Sequence, residues 1–274
     1  MTAQTKTYPV STEGLCKLCG RWRELCRSHV LPEMAYAGVM DYASHPRMVI
    51  VRGIEEGRIS DKSRQSGFWE RLLCEECEAR FSKYETYASN HLLNAKVPPP
   101  NPAEPLITLK VDDYRKLKLF LMSLLWRTGI ARGEFFRCID LGPHEPRLRE
   151  MLNAEDPGEP DEYGCLVTPL LPEPGVPMEQ VIAMPGMTRV DGHNGCLLVF
   201  RSFAFQYFIS RHNIRSGVKR AFLNREGEML MRWARGAEFP PLRQLWDRCL
   251  RAVHRELEEE PEPVPLEGDF KGRR

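Results

Sequence analysis

Two short cysteine pairs are the feature that most constrains this chain. Cys16 and Cys19 form the first pair, and Cys74 and Cys77 form the second, each with two residues between the thiols. Two thiolates at that spacing, on a tight turn, can coordinate the same metal ion. Structural zinc prefers four such ligands in a tetrahedron. The two pairs therefore predict one structural Zn²⁺ site that folds the N-terminal part of the chain.

A second set of ligands has equally compact spacing. Cys16 and Cys19 can be grouped with Cys26 and His29 instead, which leaves the second pair without partners. The four-cysteine set is favoured because it accounts for both pairs. The zinc content of a chain whose second pair is replaced by serine distinguishes the two groupings.

Composition narrows the class of protein. The nine cysteines are an odd number, and the five outside the pairs are scattered. That pattern argues against a disulfide framework and fits a reducing compartment, so we expect a cytoplasmic protein without a secretory signal or a membrane span. The formal net charge is only +1. Any surface for nucleic acid must therefore come from local segregation of charge.

Hydrophobic periodicity predicts an α+β fold. Apolar residues recur every three or four positions after Leu73, which predicts a helix from about Cys74 towards Leu93. The five prolines between Val97 and Pro105 end that helix and mark a domain boundary. We expect a zinc-binding domain over 13–96, a mixed domain over 106–256 and a disordered tail over 257–274.

The mixed domain is expected to combine helices with antiparallel strands. Asp112 and Asp113 are placed to cap a core helix. Further helices are expected near Arg147–Leu152 and after Pro241. The turn-bounded apolar runs predict strands, namely Cys165–Leu171, Val181–Met184, Cys196–Phe200 and the aromatic stretch up to Phe208, with a hairpin turn at Asp191–Gly195. In the N-terminal domain, a hairpin or loop is expected over residues 41–66, with Met48–Val51 turning near Gly53.

The order of motifs around the cysteine pairs resembles the HNH nucleases. The first CxxC is followed by Ser-His-Val-Leu-Pro over residues 28–32, then by a loop, then by Leu-Leu-Cys-Glu-Glu-Cys-Glu over residues 72–78. The resemblance covers residues 14–90 and implies an N-terminal treble-clef, or ββα-metal, module. In that family a strand histidine is the general base that activates water, and neighbouring residues hold a divalent cation on the scissile phosphate.

The resemblance implies a role for several residues and also shows departures. His29 falls on the general-base position. The ligand position before it holds Ser28 instead of Asp or His, the helix ligand position holds Glu78 instead of His, and the asparagine position holds Trp69. Glu78 is then the expected ligand of a catalytic Mg²⁺ or Mn²⁺, because a carboxylate oxygen suits these hard cations. Glu70 is expected to orient His29.

Two local groups of basic residues are candidates for phosphate contacts. One lies near the first cysteine pair and the other follows the aromatic stretch; for the second, a solvated connecting segment is the alternative. The candidates are Arg21, Arg23, Arg27, Arg211, Arg215, Lys219 and Arg220. Glu85 lies two helical turns beyond Glu78, near the same face of the predicted helix.

These features predict a metal-dependent HNH-like nuclease that acts on DNA or RNA, with phage defence as a setting by analogy. The runner-up is a catalytically degenerate treble clef that binds nucleic acid or protein within a larger assembly. The loss of Asp, Asn and His from the family pattern favours that alternative. A third hypothesis is an interaction factor whose C-terminal helix docks a protein partner.

Overall fold

The computed structural model describes residues 12–36, 49–51, 67–93, 101, 104, 106–172, 178–190, 192–210, 213–238 and 250–251. Over these residues the fold is mixed α+β with mainly antiparallel sheets. The helices are α1 (Glu75–Ala88), α2 (Tyr114–Ile130), α3 (His144–Ala154) and α4 (Ser216–Lys219). Short 3-10 turns occupy Glu33–Tyr36, Glu134–Phe136, Met178–Gln180 and Gly236–Glu238, and a π turn, Ser89–Leu93, extends α1.

Three sheets organise the strands. The N-terminal sheet has the order β1-β2-β4, built from β1 (Glu13–Leu15), β2 (Trp22–His29) and β4 (Trp69–Cys74). The largest sheet has the order β3-β7-β8-β9-β6, built from β3 (Val49–Val51), β6 (Cys165–Pro169), β7 (Val181–Val190), β8 (His193–Phe200) and β9 (Phe203–Phe208). A two-stranded sheet pairs β5 (Leu106–Lys110) with β10 (Glu228–Arg232).

Part of the segment expected to form a hairpin or loop belongs to the largest sheet. Val49–Val51 form β3, which pairs in parallel with Val181–Ala183 of β7. Apolar runs this short carry no information on the partner strand, because each fits any buried pleated surface equally well. The rest of the 41–66 segment, the helix expected after Pro241 and the tail over 257–274 lie outside the described residues, apart from 250–251.

Helix α2 lies at the centre of the fold. The carboxylate of Asp113 accepts a hydrogen bond from the backbone N–H of Lys116 and caps the helix, as its position in the sequence predicts. Residues from Leu117 to Thr128 are buried on all sides of the helix. No helix within the described residues is long and apolar enough to cross a membrane.

A single hydrophobic cluster draws on both of the predicted domains, with members from Cys16 to Met231. Phe81 of α1 packs edge-on against Trp126 of α2, with ring centroids 6.2 Å apart. From α3, Arg149 donates from Nε to the carbonyl of Leu18 at 3.0 Å. The N-terminal sheet and α1 are therefore held against α2 and α3.

Candidate functional site

The four cysteines of the two pairs come together in one cluster. Their Sγ atoms all lie within 4.8 Å of one another, and those of Cys19 and Cys74 are 3.9 Å apart. Tetrahedral zinc with Zn–S bonds of about 2.3 Å places its sulfurs about 3.8 Å apart. A disulfide would need about 2.05 Å. The cluster could therefore hold a metal ion such as zinc.

Local backbone geometry builds this cluster from two directions. The first pair sits on a knuckle between β1 and β2, where Gly20 adopts a φ of +70° and donates to the carbonyl of Cys16 at 2.9 Å. The second pair spans the end of β4 and the start of α1. The backbone N–H of Cys74 donates to Cys16 Sγ at 3.4 Å, which joins the two halves.

The thiols of the cluster differ in pKa. Burial raises the pKa of Cys16, but hydrogen bonds from the backbone of Cys74, Cys19 and Leu18 outweigh burial and lower it to about 7. Burial raises the pKa of Cys74 and Cys77 above the ordinary value of a thiol. A bound cation favours the thiolate form at every ligand, so metal binding to this cluster releases protons.

The rival ligand grouping is not assembled. Among the described residues, the four-cysteine cluster is the only group of three or more His, Cys, Asp or Glu side chains close enough to hold a metal ion. Neither Cys26 nor His29 belongs to it. His29 is thereby left for other chemistry.

His29 lies at the end of β2 with a partly exposed side chain. Its ring centroid is 6.0 Å from that of Tyr36, and in the β2–β4 ladder its partner is Trp69. The carbonyl of His29 accepts a hydrogen bond from Arg127 Nη1 at 2.7 Å. The strand end that carries the imidazole is therefore fixed from α2.

Glu78 lies in the first turn of α1 with a partly buried side chain. Burial raises the pKa of its carboxyl, while a hydrogen bond with Ser28 and the positive charge of Arg127 act in the opposite direction. Its Oε2 atom is buried and has no hydrogen-bond partner among the described residues. A buried carboxylate oxygen without a partner costs about 1–3 kcal/mol, which makes it a natural place for a proton or a cation.

Ser28 occupies the position next to the candidate base, and its side chain is completely buried. The hydroxyl accepts a hydrogen bond from the backbone N–H of Leu73 at 3.1 Å, and its interaction with Glu78 opposes the rise in the pKa of that carboxyl. Ser28 therefore links β2, β4 and the first turn of α1.

An arginine from α2 completes the cluster. Arg127 is 1 % exposed, its Nη2 pairs with a carboxylate oxygen of Glu85, and its Nε donates to the carbonyl of Ser123 at 3.4 Å. Two carboxylates, Glu78 and Glu85, thus face one buried guanidinium. Sequence reasoning missed Arg127, although a charged residue inside the apolar stripe of a core helix is a signal that could have identified it.

Glu70 makes contacts different from those expected. Its carboxylate accepts hydrogen bonds from the backbone N–H groups of Arg132 at 2.9 Å and Gly133 at 2.8 Å. Glu70 is the cross-strand partner of Ser28, one position out of step with His29. Because neighbouring residues of a strand point to opposite faces, its side chain anchors the segment after α2 instead of orienting the imidazole.

The predicted basic residues fall into two places. Arg21, Arg23 and Arg27 are exposed, with Arg21 immediately before β2 and the other two on it. The guanidinium carbon of Arg27 lies 3.9 Å from the ring centroid of Trp69.

The second basic group surrounds α4. Lys219 forms an ion pair with Asp161 at 2.6 Å, Arg215 precedes α4 and Arg220 follows it. Arg211 lies outside the described residues. The ammonium group of Lys219 is therefore already engaged within the fold.

Comparisons of the chain with protein-family models, with curated proteins and with solved structures give no match. The proposed function therefore rests on the side chains of His29, Glu78 and Arg127.

Proposed function

We propose that this chain is a zinc-stabilised, HNH-like nuclease that hydrolyses phosphodiester bonds with the help of a divalent cation. The observation that carries the proposal is the buried, unpartnered Oε2 of Glu78. Ser28 and the charges of Arg127, Glu85 and His29 all act on the pKa of this carboxyl, and Glu78 follows Cys77 of the four-cysteine site in the chain. A buried carboxylate oxygen without a partner is typical of functional sites and uncommon in structural ones.

His29 acts as the general base in this proposal. Its side chain is partly exposed, so water and a phosphate can approach it, and a neutral imidazole accepts a proton from water near neutral pH. The hydrogen bond from Arg127 to its carbonyl holds the end of β2 in place. Ser28 holds the carboxylate of Glu78 from the adjacent position on the strand.

Glu78 alone among these residues offers a free oxygen to a hard divalent cation. Glu78 offers a buried oxygen donor without a partner, and Mg²⁺ is commonly bound through one or two carboxylates together with water and phosphate oxygens. When bound there, Mg²⁺ or Mn²⁺ supplies positive charge for the phosphate. When the carboxylates of Glu78 and Glu85 are both ionised, they exceed the single guanidinium in charge, which leaves room for a further positive charge.

A second candidate function is a catalytically degenerate treble clef that binds nucleic acid without cutting it. The ion pair between Arg127 and Glu85 favours this alternative, since a fixed guanidinium already supplies counter-charge to the cluster. The buried hydroxyl of Ser28, which replaces the family's metal ligand, points in the same direction.

Cleavage with a matched pair of glutamate variants tests the proposal. Supercoiled plasmid and a structured RNA are incubated with the zinc-loaded chain and Mg²⁺ or Mn²⁺. Glu78→Gln is compared with Glu76→Gln, an exposed glutamate in the same helical turn. We expect cation-dependent cleavage that Glu78→Gln abolishes and Glu76→Gln leaves unchanged.

Zinc content and thermal melting of each variant establish that the cysteine site is intact. Cleavage that is equally strong in both variants rules out Glu78 as a ligand. If the chain binds nucleic acid but does not cleave it with either cation, the second candidate function, a binding module, is correct.

A further inference from the structure

The ladder of the N-terminal sheet determines which side chains share a face. Ladder partners are His29 and Trp69, and Arg27 and Arg71. Partners in a ladder point to the same side, and along one strand every second residue does so. One face of the paired strands β2 and β4 therefore carries Arg27, His29, Trp69 and Arg71.

The alternation continues towards the start of β2. The ladder is irregular between the pairs Leu25–Cys74 and Arg27–Arg71. Between these pairs β4 advances by three residues and β2 by two. The extra residue is thus on β4, and β2 keeps its alternation. Arg23 and Leu25 consequently share the face of Arg27 and His29, with Leu25 buried between the two arginines. We call the exposed and partly exposed members of this face, Arg23, Arg27, His29, Trp69 and Arg71, the basic face.

Charge is segregated between the two sides of this sheet. The basic face carries three arginines, and none of its members on the three strands is acidic. The acidic residues of these strands, Glu13, Glu24 and Glu70, all fall on the opposite side, because Glu13 pairs with Glu24 and Glu70 pairs with Ser28. The net charge of the chain is only +1, so this separation is local.

The three arginines of the basic face are exposed, and two of them are held in place. The guanidinium of Arg27 stacks over Trp69, and Arg71 donates from Nη1 to the carbonyl of Leu25 at 2.9 Å. Side chains that are already ordered lose less conformational entropy when they bind a phosphate. Arginine also suits phosphate because its fork of donors matches two oxygens.

We propose that the basic face is the track along which a nucleic-acid backbone lies, with His29 at its end. This inference rests on the proposed function, because that function makes His29 the point where the scissile phosphate arrives. From Arg23 to His29 the strand advances six residues, about 20 Å, which is long enough for several consecutive nucleotides. Charge complementarity identifies the partner as the phosphate backbone, the feature that DNA and RNA share.

Equilibrium binding without Mg²⁺ or Mn²⁺ tests the track separately from cleavage. A fluorescein-labelled 20-nucleotide single strand and its duplex are titrated with the full zinc-loaded chain in 50–200 mM salt. Variants are Arg23→Gln, Arg27→Gln and Arg71→Gln, with Arg225→Gln as a matched control. Arg225 is exposed and lies over Tyr114 at the start of α2, about 20 Å along that helix from Arg127. Each basic-face variant is expected to weaken binding several-fold and to lower the slope of log K against log salt by about 1.

The control variant is expected to keep the wild-type affinity and slope, and Glu24→Gln on the opposite side is expected to lose no affinity. The proposal is wrong if all three basic-face variants keep the wild-type affinity and salt slope. It is also wrong if polyglutamate displaces the labelled oligonucleotide as well as unlabelled oligonucleotide does. Weakened binding in these variants upholds the track even if the wild-type chain proves unable to cleave, so the two proposals fail separately.

Discussion

Arg127 donates a hydrogen bond from Nη1 to the carbonyl oxygen of His29 at 2.7 Å, although 98 residues separate them in the sequence. The same guanidinium pairs with Glu85 on α1. One buried side chain therefore connects the strand that carries the candidate base, the helix that carries the candidate cation ligand and the central helix α2.

Replacing Arg127 with leucine should be strongly destabilising. The change leaves the carboxylate of Glu85, only 20 % exposed, without its partner, and it removes a donor from His29. Breaking a buried ion pair on one side costs about 3–5 kcal/mol. Urea unfolding of the zinc-loaded chain measures the loss. A decrease below about 1 kcal/mol would show that the pair contributes little to the fold.

A double-mutant cycle separates the ion pair from the other contacts of Arg127. The double variant Arg127→Leu/Glu85→Leu removes both charges and should cost less than the sum of the two single changes by about 1 kcal/mol or more. Strict additivity would contradict a direct interaction between the two side chains.

Ser28→Ala should destabilise the chain by about 1–3 kcal/mol, because the backbone N–H of Leu73 and the carboxylate of Glu78 both lose a buried partner. Ser123→Ala is the matched control. Ser123 is equally buried, but its hydroxyl donates only to the carbonyl of Phe120 within its own helix. Chemical denaturation should show a much smaller effect at Ser123, and equal costs would remove the linking role of Ser28.

Several parts of this architecture follow from local sequence signals. The helix after the second cysteine pair, the Asp113 cap of α2 and most strands of the largest sheet are set by periodicity and by turn or cap residues close in sequence. The α+β class follows from the same signals. The convergence of the cysteines was likewise a prediction from spacing and from the ligand preference of zinc.

Other parts depend on contacts that sequence periodicity does not encode. The short apolar run Val49–Val51 does not reveal its partner strand, and β3 pairs with β7 far along the chain. Glu70 was predicted to orient His29. The pleat of the strand instead places its side chain on the other face, where it contacts Arg132 and Gly133. Arg127 went unnoticed because its partners lie on two other elements, β2 and α1, and only the packed fold brings them together.

Removing the second cysteine pair should abolish the metal site and unfold the N-terminal sheet. Cys74→Ser/Cys77→Ser takes away two of the four ligands, and a structural zinc site contributes on the order of 10 kcal/mol to folding. Metal analysis and circular dichroism measure the loss. Cys26→Ser should retain stoichiometric zinc, since Cys26 lies outside the cluster. Loss of zinc from Cys26→Ser with retention in the double variant would reinstate the rival grouping.

Lys118 gives the stability of the chain a pH dependence. Burial lowers the pKa of its ammonium group to about 8 from an ordinary value of 10.5, while its Nζ donates to the carbonyl of Glu162 at 2.7 Å. Between these two pKa values the unfolded chain binds more protons than the folded chain, so stability rises with pH.

The comparison of wild type with Lys118→Met isolates this effect. The free energy of unfolding of wild type relative to the variant should increase by about 1 kcal/mol between pH 7.5 and 9. A constant difference across that range would mean that Lys118 keeps its ordinary pKa in the folded chain.

The central claim is that His29 activates water for phosphodiester hydrolysis, and single-turnover cleavage of a labelled oligonucleotide tests it most directly. His29→Ala is compared with wild type and with His193→Ala, a partly exposed histidine on β8, at equal zinc content with Mg²⁺ or Mn²⁺. Loss of a general base should lower the rate by about 100-fold or more in His29→Ala alone. Equal rates in wild type and His29→Ala would contradict the account.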